Sequence, residues 1–233
     1  MTSSGDLERV RLLTLHALGA ACADAAETGS EINLTAVLQG DSSGPILPFP
    51  STRATHGYIE AVYMLREETA LHDDEVVSIL CTVSGQTLAD LGKHATHIDP
   101  RTAREAKNSL PWCVAASLIL NKINRNAFTP EAISNPRILT LAKKVSCAVD
   151  PALPEDESRV TVNRVRGKPV ECVVTVSLGS ENNEMTPDQV RDQFRDDMAY
   201  AGLCAKTDAA IAMVEKLEGP PDINALLALF RKS

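Results

Sequence analysis

"RVTVNRVRGKPVECVVTVSL", residues 159–178, is the stretch whose reading decides the fold class. Two runs of alternating character, "RVTVNRV" and "PVECVVTVSL", are joined across "RGK", and Val170, Cys172, Val174, Val176 and Leu178 recur at every second position. A strand turns successive side chains to opposite faces, so a period of two on either side of a short polar, glycine-containing link reads as an antiparallel hairpin with one apolar face. Working outward, "DEVVSILCTVSG" (residues 74–85) has the same period, with Val77, Ile79, Cys81 and Val83 expected to point one way.

The rest of the chain has helical spacing. Residues 7–26 place Leu12, Leu15, Leu18 and Cys22 on one side, with Gly29 beyond the end. "LQGDSSGPILPFP" reads as a linker. A helix is expected from Thr52 to Thr69, and residues 86–108 are polar and irregular, with room for a short helix. In "NSLPWCVAASLIL" (108–120), Asn108 or Ser109 can cap a helix that is apolar nearly all round and therefore buried. "FTPEAIS" and "NPRILTLAKKV" each put proline just inside a helix start. "TPDQ" (186–189) has the capping-box form, leading to Phe194 and Met198 and closed by Gly202; residues 205–217 and 222–231 add further helix. Strands this few and this unevenly spaced do not make a doubly wound sheet. The expected class is α+β, helices on a small, mainly antiparallel sheet, with residues 1–44 as N-terminal helix and linker and residues 45–233 as the α+β domain.

Totals narrow the function classes. The 233 residues carry 31 Asp and Glu against 23 Lys and Arg, a net charge of -8, with no Lys/Arg run. That excludes a polyphosphate partner, because nucleic-acid binding needs clustered positive charge to displace counterions. No stretch approaches the roughly 18 consecutive apolar residues of a membrane span, and "MTSSGDLERV" has no leader pattern, so no membrane and a cytoplasmic location are expected. The six cysteines are spread without a CxxC and read as reduced core residues.

Chemistry concentrates in "PFPSTRATHGYIEA" (48–61). A helix start carries unpaired N–H groups and about half a positive charge, so Arg53 in the first turn is unfavourable by a few tenths to about 1 kcal/mol unless an anion sits in front of it. A carboxylate docked on the amides of residues 52–55 would be held by those amides and by Arg53 together, with the Ser51, Thr52 and Thr55 hydroxyls alongside. His56, one turn in, is kept neutral by the same field and can take a proton from such a ligand. Gly57 inside the helix costs about 1 kcal/mol relative to alanine, which points to a close approach by backbone or ligand. "HATH" (His94, His97) has metal-capable spacing but no third ligand nearby, so no metal and no cofactor is expected. "EDESR" (155–159) reads as a solvated acidic loop.

In order and spacing, "PFPSTRATHGYIEA", "AKNSLPWCVAASLIL", "NPRILTLAKKV" and "MTPDQVRDQFRDDMAYAGL" resemble the C-terminal part of the MmgE/PrpD family, over residues 45–231. The resemblance implies an α+β domain beside a large helical one, and metal-independent proton transfer on small polycarboxylates: dehydration, decarboxylation or epimerisation. That chemistry agrees with the anion-plus-imidazole arrangement read at Arg53 and His56, so His56 is expected as the catalytic group, with Arg53, Ser51, Thr52, Thr55 and Trp112 binding substrate. Leu47 stands where the family has lysine, and Trp112 where it has tyrosine. The large helical domain is expected to be missing, so a homodimer is expected to cover the exposed site. Three readings follow: a minimal lyase or isomerase acting on a carboxylate-bearing or conjugated carbonyl compound, a half-enzyme completed by a separate helical chain, and a non-catalytic binding or scaffold module.

Overall fold

The computed structural model describes residues 4–32, 45–217 and 229–230. The expected linker falls mostly outside the described residues, as does all but 229–230 of the expected helix at 222–231. The chain divides into two compact units, one of residues 1–48 with 184–233, the other of residues 49–183. The boundary expected at 44/45 lies close to one edge of this division, but the first unit also takes in the C-terminal helices.

Within the first unit, helix α1 (Ser4–Thr28) packs against α8 (Pro187–Tyr200) and α9 (Thr207–Glu215). Leu15, Leu18 and Cys22 of α1 and Val190, Phe194 and Met198 of α8 are buried, as their spacing requires. Thr186 and Gln189 form the reciprocal capping box, the Gln189 amide donating to Thr186 Oγ1 at 3.3 Å and the Thr186 amide to Gln189 Oε1 at 2.8 Å.

The second unit holds α2 (His56–Thr69), β1 (Val76–Val83), α3 (Gly85–Leu91), α4 (Ala103–Lys107), α5 (Leu110–Leu120), α6 (Pro130–Ile133), α7 (Pro136–Ala142), β2 (Val145–Val149), β3 (Ser158–Arg164) and β4 (Val170–Val174). The sheet order is β2-β1-β3-β4, with β1 parallel to β2 and the other two pairings antiparallel. This is an α+β fold on a mixed sheet. The hairpin is β3–β4 with Val160 opposite Cys172. α2 lies against β3 and β4, and α5 against α2, α7 and β2, so the core runs through Tyr58, Ile59, Val62, Ile79, Cys81, Val160, Val162, Trp112 and Val114.

Three expectations are corrected by the strands. Val77 does not face the core: a register shift between Val76 and Ser78 advances the phase by one residue, so Val76 is buried and Val77 is 53% exposed. Val176 and Leu178 do not continue β4, because its partner β3 ends at Ser158, opposite Val174, and no ladder remains to pair with. β2 lies where the sequence suggests only the tail of a helix; α7 stops at Ala142 and the next residues extend along β1. The parallel β1–β2 pairing needs a long return, which α3 to α7 supply.

Candidate functional site

The start of α2 is tighter than a plain helix end. Arg53–Thr55 form a single 3-10 turn before α2 begins at His56, which corrects the expectation of a regular helix from Thr52. The Thr55 amide donates to Thr52 O at 2.8 Å, and the Thr52 amide to Lys107 O at 3.0 Å, the residue that closes α4. Of the four amides expected to face a ligand, at most those of Arg53 and Ala54 remain for one.

The hydroxyls are organised by the same turn. Thr55 Oγ1 donates to Thr52 O at 2.8 Å, so its only proton is used and the 2.8 Å contact with Ser51 Oγ is donated by Ser51. Thr52 Oγ1 donates to Asn108 Oδ1 at 2.7 Å, while Asn108 Nδ2 donates to Arg104 O at 2.8 Å. Asn108 is free to do this because Ser109 is the cap of α5, its Oγ accepting from the Trp112 amide at 3.1 Å. Lys107 and Asn108 are therefore part of this corner, a role that reading Lys107 in an irregular polar stretch and Asn108 as a possible cap did not reveal. Phe49 is another, its ring meeting that of His56 edge-on at 5.3 Å.

His56 is 1% exposed, and its Nε2 lies 3.1 Å from Ser51 O. A carbonyl only accepts, so Nε2 carries the proton and Nδ1 the lone pair. Burial first, and the nearby Arg53 charge to a lesser degree, lower the pKa from 6.5 to about 4, against the carbonyls of Ser51 and Phe49, which favour the charged ring. The imidazole is neutral at neutral pH. Arg53 is exposed and Thr55 buried. Gly57 is buried where α2 crosses β3, and a Cβ there would come within 2.8 Å of Ser158 Cβ. The close approach inferred from that glycine is made by a side chain of the protein itself.

Trp112 is wholly buried against Phe128, with ring centroids 5.3 Å apart, and Lys107 Nζ stands 5.7 Å from the Phe128 centroid. Trp112 Nε1 has no hydrogen-bond partner. An orphan indole N–H in the core is costly, and a ligand or water acceptor would satisfy it. Leu47 presents its carbonyl to Gln193 Nε2 at 2.8 Å. His94 and His97 stack at 5.9 Å, and among the described residues no group of three or more His, Cys, Asp or Glu is arranged to hold a metal. Among the same residues no helix is long and apolar enough to cross a membrane.

Compared with known proteins, the family model described as MmgE/PrpD C-terminal domain matches residues 49–219. No curated protein matches.

Proposed function

Since the chain belongs to the MmgE/PrpD family through its C-terminal domain, we propose that it is a lyase or isomerase that moves a proton on a small carboxylate-bearing or conjugated carbonyl compound. The single observation carrying this reading is a neutral imidazole set one turn behind an exposed guanidinium. Arg53 receives the carboxylate at the mouth of α2, with the amides of Arg53 and Ala54 as the remaining donors, because the Ser51 and Thr52 hydroxyl protons are already donated to Thr55 Oγ1 and Asn108 Oδ1. His56 takes the proton from the carbon next to the carboxylate through its Nδ1 lone pair, and Arg53 offsets the negative charge that develops there. Trp112 Nε1 supplies a further donor. This chemistry draws on no metal. Because Nδ1 is buried, the segment before the turn must shift when a ligand enters. We place the working form in the cytoplasm as a homodimer, which sedimentation of the pure chain tests.

The deciding experiment is proton exchange. A set of small di- and tricarboxylates is incubated with the protein in deuterium oxide, and exchange next to the carboxylate is followed by proton NMR. Arg53→Gln should weaken carboxylate binding about tenfold or more. His56→Gln should leave binding nearly intact and lower exchange by about 100-fold or more. Binding without exchange in the parent protein would favour the third reading, a non-catalytic binding module, which the near-complete burial of His56 and its bond to Ser51 support. Neither binding nor exchange would defeat both.

A further inference from the structure

Cys81 stands in β1 and Cys147 in the parallel neighbour β2, and the two are register partners. Paired residues on adjacent parallel strands project to the same face. Both of these do so toward the helices, Cys81 inside the apolar core and Cys147 packed against it. Neighbouring strands lie roughly 4.8 Å apart, inside the window of about 4.4–6.8 Å that a disulfide needs between Cα atoms. The register therefore meets the Cα-spacing requirement for a bond between the two.

The other cysteines are placed differently. Cys172 shares the same sheet row but lies beyond Val160, which pairs with both Cys81 and Cys172. Its thiol instead meets Met64 Sδ at 3.8 Å. Cys113 Sγ donates to Ala106 O at 3.3 Å in the first turn of α5. Cys22 belongs to the other unit, and Cys204 is exposed. Only the β1–β2 pair is both adjacent in register and on one face. Its members also differ in access: Cys81 is wholly buried and Cys147 is half-buried on the edge strand.

We propose that Cys81 and Cys147 form a reversible disulfide by exchange with a low-molecular-weight disulfide such as oxidised glutathione. The Cys147 thiol loses its proton to solvent and attacks the small disulfide, forming a mixed disulfide and releasing one small thiolate. Cys81 then loses its proton and attacks the Cys147 sulfur, and the second small thiolate leaves. Two protein thiols are oxidised, one small disulfide is reduced to two thiols, and the protons balance. Burial holds the Cys147 thiol up at about 11 and Cys81 well above its usual value, so the exchange is slow at neutral pH and quickens with alkali. The bond would tie edge strand β2 to central strand β1, directly beneath Tyr58 of α2, whose hydroxyl donates to Thr82 O at 2.9 Å in the same strand.

The full chain is equilibrated with oxidised glutathione at about pH 9, where thiolate is more abundant, quenched, alkylated and mapped by mass spectrometry. The expected result is one linked peptide pair containing Cys81 and Cys147 that is lighter by two hydrogens, alkylation of the buried Cys22, Cys113 and Cys172, a glutathione adduct on the exposed Cys204, and full recovery of six alkylated thiols after dithiothreitol. Cys81→Ala should trap a glutathione adduct on Cys147, and Cys147→Ser should leave Cys81 a free thiol. Circular dichroism of each variant establishes that it is folded before the mapping is read. A stable adduct on Cys147 with Cys81 still free in the parent chain, a link to any other cysteine, or oxidation confined to Cys204 would overturn the proposal.

Discussion

His56 and Gly57 are neighbours that face different constraints. The folded His56 ring titrates near 4 and the unfolded one near 6.5, so acidification protonates the unfolded chain first. Its effect is absent above pH 6.5 and grows as the pH falls to 4, reaching about 3 kcal/mol of lost stability. His56→Gln should therefore flatten the urea midpoint against pH in that window relative to the parent; parallel curves would mean that the ring is not held neutral. Gly57→Ala should cost about 1–3 kcal/mol through its clash with Ser158, despite the roughly 1 kcal/mol that alanine gains in a helix. In a Ser158→Gly background most of that cost should vanish, and an unchanged cost in the double-mutant cycle would put the constraint elsewhere. Arg53 and His56 could be singled out in the sequence because charge at a helix start is a local matter, whereas Lys107 and Asn108 reach the same corner from a distant part of the chain. That Ser158 fills the space over Gly57 was not, since the two are separated by a hundred residues.

Elements end where their own chemistry says they should, with one exception in α2. Its last turn closes at Ala70 in the left-handed region, φ 49°, where a Cβ is strained. Ala70→Gly should raise stability by about 1 kcal/mol, net of the extra freedom glycine gives the unfolded chain; a drop in thermal midpoint would contradict this. Ser109 serves α5 twice, accepting from the Trp112 amide and donating to His97 O. Ser109→Ala should cost about 1–2 kcal/mol, measurable as a lower midpoint with unchanged steepness. Caps and capping boxes were readable because each involves residues within one turn. The bulge that moves Val76 inward in place of Val77 was not, because both are valines and the alternation looks the same in either phase.

At the scale of the molecule, the unit of residues 49–183 contains the whole sheet and its own apolar core. Produced by itself, this segment should unfold in one cooperative transition, with the blue-shifted emission expected of its single, fully buried tryptophan; emission typical of solvated indole would show that it needs the other unit. What the chain's order of residues determined by itself was local: periods of two and of 3.6, the prolines and hydroxyls at helix starts, and an acidic composition without basic runs. These depend on neighbours a few residues apart, whose spacing the backbone fixes. The parallel partner of β1, the contact of α2 with Ser158, the sealing of His56 beneath Ser51 and the pairing of Cys81 with Cys147 were decided only by tertiary structure. Each joins groups whose separation depends on how the core packs, and a linear pattern carries no measure of that distance.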